Sequence, residues 1–233
     1  MNYVPIVHLN QVDSTNIYSK KLIEEDNIEK GFVISDIQTK GKGRYGKNWI
    51  SKKGNIYLSF FFKFKTLNIK KFFLIFPVLI KKVLEKYSKF KILIKWPNDI
   101  IINNKKIGGI LVEHLTVRKH KFVIVGIGIN VNSSPYIKKY PTIYLKKIKK
   151  KNFILQDVIN DLLKVLSKIS FKKINYKNFI KIWNSSLYLM NKEIKFLKKK
   201  DLYKGILKEI DLNGKLVLMI NQKKIKFEIG SIL

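Results

Sequence analysis

The chain has 233 residues and no cysteine, which excludes disulfides, thiolate metal sites and a cysteine nucleophile. Its 48 lysine and arginine residues exceed its 16 aspartate and glutamate residues, so the formal net charge is +32. The longest apolar run, residues 72–80, is too short for a membrane span, which needs about 20 residues, and no signal-peptide pattern is visible. We therefore expect a cytoplasmic protein that does not bind a membrane.

The positive charge has two explanations: a nucleic-acid-binding protein or a general bias towards lysine. Only Arg44 and Arg118 among the 48 basic residues are arginine, whereas nucleic-acid sites favour arginine for bidentate contacts. The lysines are spread along the whole chain, so we favour the second explanation and expect no specific DNA binding. A lysine-rich surface would still attract an acidic protein partner.

The order of apolar patterns predicts an α+β fold for most of the chain. After an apolar segment at 6–9, strands are predicted at residues 32–37, 56–64, 92–94, 100–102, 107–112 and 122–129. Helices are predicted from the cluster Asp13-Ser14-Thr15-Asn16, whose residues favour helix starts, and at residues 70–87, 156–170 and 175–185. Pro77 is expected to kink or start the helix at 70–87.

Beyond residue 187 the pattern changes to short strands separated by turns. They are predicted at residues 193–196, 202–210, 216–220 and 224–229. This spacing favours a small all-β barrel of about 45 residues. We therefore predict two domains, residues 1–187 and residues 188–233.

Residues 41–47 form a glycine-rich loop, Gly-Lys-Gly-Arg-Tyr-Gly-Lys. The glycines allow the backbone to approach a ligand closely, and Lys42, Arg44 and Lys47 add positive charge. This combination suits a ligand that carries a carboxylate and a phosphate. The spacing matches neither a P-loop nor a Rossmann fingerprint, and a flexible hairpin loop is an equally good explanation.

Three further segments combine glycine or polar residues with apolar strands. The segment 95–99, Lys-Trp-Pro-Asn-Asp, is either a functional turn or an ordinary edge-strand turn. Lys106 is either a solvated hairpin residue or an inward cation, and the two glycines that follow it slightly favour the inward cation because they clear room beside the strand. Gly126 and Gly128 alternate, so both face one side of the sheet and form a flat floor for a ligand; a closely crossing helix is the alternative.

Taken in order, these segments resemble the motifs of biotin–protein ligases, and the resemblance covers about residues 5–133. It implies a mixed β-sheet with helices on one side, the class II synthetase-like or biotin–lipoate ligase fold, followed by a small SH3-like β-barrel. It also implies the form of the family without an N-terminal DNA-binding domain, because only about a dozen residues precede the first motif.

The resemblance implies a two-step reaction. Biotin and ATP, with Mg²⁺, give biotinyl-5'-AMP, and the biotinyl group passes to a lysine of a biotin carboxyl carrier protein, an acetyl-CoA carboxylase subunit. A monomer or a weak homodimer is expected. A lipoate–protein ligase of related fold is the nearest alternative, and a basic nucleic-acid-binding protein is the alternative from another class.

Site residues follow from the same resemblance. Lys106 and Arg44 are the expected catalytic residues. Those expected to bind biotin are Ser14, Thr15, Asn16, Gln38, Gly41, Lys42, Gly43, Lys106, Gly108, Gly109 and Leu111. Those expected on the nucleotide side are Lys42, Arg44, Trp49, Lys95, Asn98, Asp99 and Asn130. No metal ligand is assigned, although Asp99 is a candidate to face either the metal or the incoming carrier lysine.

The glycine-rich loop departs from the family pattern, because it carries Lys42, Tyr45 and Lys47 where arginines are usual. Lysine keeps the positive charge but lacks the planar guanidinium fork. The departure puts bidentate phosphate contacts in doubt.

Overall fold

A seven-stranded sheet forms the centre of the larger part of the molecule. The computed structural model describes residues 4–64, 72–171 and 174–233. The strands are β1 (Ile6–Val12), β2 (Lys30–Gln38), β3 (Ile56–Phe64), β4 (Ile92–Lys95), β5 (Asp99–Ile102), β6 (Lys105–Val117) and β7 (His120–Ile129). Their order is β1-β2-β3-β7-β6-β5-β4. β1 and β2 pair in parallel, and the other pairs are antiparallel.

Four helices accompany this sheet: α1 (Thr15–Glu24), α2 (Phe72–Leu84), α3 (Leu155–Ser167) and α4 (Tyr176–Ser186). All four were expected from the sequence. Pro77 lies inside α2 and not at its start, and the predicted residues 70–71 of that helix fall outside the described residues. In the described part of the chain, no helix has the length and apolar character needed to cross a bilayer.

The two faces of the sheet carry different hydrophobic cores. Neighbouring residues of a strand point to opposite faces, so Phe60 and Phe62 of β3 join the main core with α2, α3 and α4, whereas Phe61 does not. Phe61 joins a smaller core with Leu22 and Ile23 of α1. The expected α+β fold is thus confirmed, but the helices cover both faces and not one. The parallel β1–β2 pair requires a crossover connection, and α1 supplies it on the second face.

A separate five-stranded antiparallel sheet follows α4. Its strands are β8 (Glu193–Lys198), β9 (Asp201–Ile210), β10 (Leu216–Ile220), β11 (Lys223–Phe227) and β12 (Ser231–Ile232), in the order β11-β10-β9-β8-β12. The four predicted strands are confirmed, and β12 is an addition. No ladder joins β11 to β12, so the strand pairing describes a sheet and not a closed barrel. The domain boundary at 187/188 stays a prediction; α4 ends at Ser186 and β8 begins at Glu193.

The second sheet packs on the first unit through Trp96. This side chain is 2% exposed. Its Nε1 donates a hydrogen bond to the Gly214 carbonyl at 3.1 Å, and its ring lies 5.9 Å from that of Phe196. An apolar and a polar contact thus hold the two parts together.

Replacing Trp96 with phenylalanine should lower the free energy of unfolding by about 1–3 kcal/mol, because the buried Gly214 carbonyl loses its donor and the smaller ring leaves a void. Urea denaturation followed by tryptophan fluorescence measures the change. Tyr136→Phe is a suitable control, since Tyr136 is 90% exposed. Unchanged stability of Trp96→Phe would show that this contact contributes nothing.

Candidate active site

A cavity of about 510 Å³ opens on the face of the sheet that α1 covers. Its walls come from the start of α1, the glycine-rich loop, the β4–β5 turn, β6, β7, the segment 139–141 and the end of the second sheet. Strand alternation explains the location. Ser59, Gly126 and Gly128 lie on the α1 side of the sheet, whereas their neighbours in sequence point into the main core.

One end of the cavity is neutral and lined by buried polar groups. The backbone amide of Thr15 donates to Gln38 Oε1 at 2.9 Å, and the Thr15 hydroxyl lies 3.1 Å from the same oxygen. The Ser59 hydroxyl lies 2.7 Å from Thr15 Oγ1 and 2.6 Å from Asn16 Oδ1. Ser14 takes the N-cap position of α1 without a capping bond from its side chain, and it also lines this end. These groups suit a neutral ligand with both donors and acceptors.

Two glycines of β7 form the floor. A Cβ atom at Gly126 would lie 2.4 Å from Asn16 Oδ1, and one at Gly128 would lie 2.4 Å from Cε2 of Trp49. Across the strand pair, Gly128 stands opposite Gly109 and Gly126 opposite Leu111. The missing side chains therefore let Asn16 and Trp49 rest directly on the sheet.

The other end of the cavity is cationic. Lys106 Nζ lies 2.8 Å from Asp99 Oδ1, and the same ammonium group lies 5.2 Å and 5.4 Å from the ring centroids of Trp49 and Tyr140. Distances of this size allow cation–π attraction. Lys106 is thus held by one carboxylate and two aromatic rings.

Lys95 and Arg44 add positive charge beside Asp99. Burial lowers the pKa of the Lys95 ammonium; the Asp99 carboxylate opposes this shift, and the charges of Lys106 and Lys47 add to it. Burial also lowers the pKa of the Arg44 guanidinium, and the neighbouring Tyr45 and the Asp99 carboxylate oppose this shift. Because these cations outnumber the Asp99 carboxylate, this end of the cavity keeps a positive charge that attracts anions.

The glycine-rich loop is a hairpin-like turn at the cavity mouth. The Gly43 amide donates to the Lys47 carbonyl at 2.6 Å, and the Trp49 amide donates to the Gly41 carbonyl at 2.9 Å. Between them, Tyr45 has a φ of +56° and is 67% exposed. Arg44 Nη2 donates to the Tyr45 hydroxyl at 2.8 Å. The loop thus brings Arg44 to the cavity without being packed into the core.

Most residues predicted for the site line this cavity. They are Ser14, Thr15, Asn16, Gln38, Lys42, Gly43, Arg44, Trp49, Lys95, Asn98, Asp99, Lys106, Gly109 and Leu111. Their contacts with ligands stay predictions, but the structure places them together around one space.

Gly41, Gly108 and Asn130 are not among the lining residues. A Cβ atom at Gly41 would lie 2.5 Å from the Trp49 carbonyl oxygen, so this glycine allows the two arms of the loop to approach each other. Gly108 pairs with Ile129, whose side chain lies in the main core. Asn130 is buried, and its Nδ2 donates to the Ile143 carbonyl at 3.2 Å. These positions suggest supporting roles.

Several lining residues were missed by the sequence analysis. They are Tyr45, Asn48, Tyr140 and its neighbours Lys139 and Pro141, Tyr188, Leu189 and the final residues 231–233. Tyr140 reaches the site because the Lys106 amide donates to the Pro141 carbonyl at 2.9 Å, and the Ile143 amide donates to the Lys106 carbonyl at 3.0 Å. This pairing of distant segments leaves no local signal in the sequence.

The family of the chain follows from comparison with known proteins. Residues 9–130 match the model of the Biotin/lipoate A/B protein ligase family, which is more than half of the chain. The chain has an α+β fold with a cavity that is neutral at one end and cationic at the other, and it belongs to the Biotin/lipoate A/B protein ligase family.

Individual relatives agree with this assignment. The bifunctional ligase/repressor BirA of Bacillus subtilis is 33% identical over 134 residues, which cover 56% of this chain and 41% of BirA. Biotin–protein ligase 2 of Arabidopsis thaliana is 36% identical over 135 residues, covering 54% of this chain and 37% of that protein. The chain thus matches about two fifths of the length of these curated relatives.

A solved structure extends the similarity to the whole fold. The biotin protein ligase from Aquifex aeolicus, in complex with biotin and ATP, superposes with a TM-score of 0.82 at 27% identity, covering 99% of this chain and 98% of that one. The second sheet is therefore included in the likeness.

Proposed function

We propose that this chain activates biotin with ATP as biotinyl-5'-AMP and transfers the biotinyl group to a lysine of a biotin carboxyl carrier protein. One observation carries the proposal: a single cavity joins a neutral polar end at Thr15 and Asn16 to a cationic end at Lys106 and Arg44. Biotin has the matching halves, a neutral ureido ring and a carboxylate. The names of the relatives support the same activity.

The first step brings two anions together, the biotin carboxylate and the α-phosphate of ATP. Lys106, with its ammonium in the cavity, is placed to offset their repulsion, and Arg44 and Lys95 lie on the same side. A carboxylate oxygen attacks phosphorus, and pyrophosphate leaves with the electron pair. No side-chain nucleophile is needed, so positioning and electrostatic stabilisation provide the catalysis.

Trp49 is the residue best placed to meet the nucleotide. Its ring lies on the glycine floor, and its buried Nε1 has no hydrogen-bond partner among the described residues. An unpaired buried donor is costly, so a ligand acceptor at this point would be favoured. Asn98 supports the site in another way, because its Nδ2 donates to the Ile110 carbonyl at 2.7 Å and fixes the β4–β5 turn.

A magnesium ion would have few protein ligands here. Within residues 4–64, 72–171 and 174–233, no cluster of three or more histidine, cysteine or acidic side chains could hold a metal. Asp99 is the carboxylate that lines the cavity, and it already pairs with Lys106. We therefore expect Mg²⁺ to arrive with the ATP phosphates and to contact Asp99 at most.

In the second step the neutral amine of the carrier lysine attacks the acyl carbon of the mixed anhydride and AMP leaves with the electron pair, so the anhydride must be protected from water until the amine arrives. We propose that the glycine-rich loop closes over the adenylate and excludes water. The strongly basic surface would attract an acidic carrier domain. The identity of the carrier, the oligomeric state and the cytoplasmic location stay predictions.

Replacing Arg44 with alanine should let the adenylate escape into solution, because the loop loses the cation that faces the phosphate. We expect at least a tenfold increase in free adenylate per turnover, measured by chromatography after filtration. Lys40→Ala is a matched control, since Lys40 precedes the loop and pairs with Asp13 on the surface. Retention as tight as in the unmodified protein would contradict this role.

The proposed function is tested by incubating the protein with ATP, Mg²⁺, labelled biotin and a biotin carboxyl carrier domain. Transfer of label to the carrier lysine is the expected result, and unlabelled lipoate should not compete with biotin. Efficient competition by lipoate, or transfer of lipoate itself, would instead assign the chain to the lipoate ligases of the same family. Transfer of neither acid would contradict both activities.

A further inference from the structure

A chain of polar contacts runs behind the neutral end of the cavity. Asn16 Nδ2 donates to Glu113 Oε2 at 2.6 Å, and Lys20 Nζ donates to Glu113 Oε1 at 2.7 Å. Asn16 lines the cavity, whereas Glu113 and Lys20 do not. Glu113 therefore reaches the cavity by hydrogen bonding through Asn16.

The Glu113 carboxylate determines the orientation of the Asn16 side-chain amide. An ionised carboxylate accepts hydrogen bonds and donates none, so it must face the NH₂ group of the amide. The Asn16 oxygen then points the other way, where it accepts from the Ser59 hydroxyl at 2.6 Å and lies directly above Gly126 on the cavity floor. A carbonyl oxygen has two lone pairs, so one acceptor site remains for a ligand N–H group.

Glu113 is kept in the charged form that this arrangement needs. Burial alone would raise the pKa of its carboxyl, but the hydrogen bonds from Lys20 and Asn16, with the charges of Lys20 and Lys42, lower it below the ordinary value. At neutral pH the carboxylate is therefore ionised, and the amide of Asn16 has a single favourable orientation.

We propose that Glu113 is a positioning residue that sets the ligand preference of the cavity by holding the Asn16 oxygen as an acceptor towards the ligand ring. The ligand class it selects is a ring with N–H donors, such as the ureido ring of biotin, over a ring without them, such as a dithiolane. This inference rests on the proposed function, because it assumes that the ring occupies the neutral end.

The test compares Glu113→Gln with the unmodified protein. A glutamine amide can both donate and accept, so it no longer forces one orientation on Asn16. We expect the dissociation constant for biotin to rise about tenfold, the loss of one good hydrogen bond. The dissociation constant for ATP and kcat at saturating biotin should stay within about twofold, because Glu113 does not touch the cationic end.

Two further variants make the result specific. Glu29→Gln removes the carboxylate of another lysine–glutamate pair, with Lys63 of β3, which does not line the cavity, and this variant should bind biotin normally. Glu113→Asp keeps the charge but shortens the side chain, and should raise the biotin dissociation constant less than Glu113→Gln does. It also provides a folded comparison if Glu113→Gln is insoluble, since any rise confined to biotin supports the proposal.

The outcomes separate this inference from the proposed function. Isothermal titration of the unmodified protein with biotin is carried out first. If the unmodified protein does not bind biotin, the proposed function is contradicted. If the unmodified protein binds biotin, normal biotin affinity of the Glu113 variants overturns the inference. Equal loss of biotin and ATP affinity also overturns it, because that result indicates a general structural role for Glu113.

Discussion

Replacing Lys106 with alanine should lower the rate of adenylate formation at least tenfold, which corresponds to about 1.4 kcal/mol of barrier. The cavity loses the ammonium group that lies between two aromatic rings and 2.8 Å from Asp99. The Asp99 carboxylate then remains without this partner and repels both incoming anions. The loss should appear in kcat as well as in KM, because the repulsion is greatest when carboxylate and phosphate are in contact.

Pyrophosphate release in the presence of biotin and ATP measures this step without the carrier protein. Lys105→Ala is the matched control, because Lys105 is the preceding residue of β6 and is exposed. It removes the same charge from the same strand and should leave the rate unchanged. A Lys106→Ala variant that releases pyrophosphate normally would remove Lys106 from the proposed mechanism.

Replacing Gly126 with valine should abolish measurable biotin binding, with a loss of at least a hundredfold. A Cβ atom alone would lie 2.4 Å from Asn16 Oδ1, far inside normal contact. Asn16 cannot move aside cheaply, because its side chain is held by Glu113 and Ser59. The valine methyl groups would in addition fill the floor of the neutral end.

Titration with biotin measures this effect, and titration with ATP provides the internal control. ATP binding should persist, since Gly126 is separated from the cationic end by Gly128 along β7. Thermal unfolding should show a cooperative transition in the variant. Biotin binding that survives with less than a tenfold loss would show that the ring does not lie over Gly126.

The secondary structure was predicted well from the sequence wherever the conformational preferences of neighbouring residues determine it. Asn103 and Asn104 form a two-residue turn with φ of +48° and +58°, a conformation that asparagine tolerates. Arg118 and Lys119 form the same kind of turn between β6 and β7, with φ of +46° and +67°. Nothing in two basic residues signals such a turn, so that hairpin was not specified from local sequence.

Residues that contact a ligand were harder to predict from the sequence than helices and strands. Gly108 and Gly109 were both expected in the biotin slot, yet Gly109 lines the cavity and Gly108 does not. The pairing of Gly109 with Gly128, which faces the cavity, decides between them. The register between β6 and β7 depends on the pairing of two separate segments and cannot be predicted from either one alone. The same holds for the position of Tyr140 beside Lys106.

Successive residues of β7 alternate between packing in the main core and shaping the cavity floor. Val123, Val125 and Ile127 point into the main core, whereas Gly126 and Gly128 form the cavity floor. A change at Gly126 or Gly128 therefore alters the cavity floor without opening a void in the main core. Because a Cβ atom at these positions meets Asn16 or Trp49, a combinatorial library aimed at new small acids would have to vary these two neighbours together with the glycines.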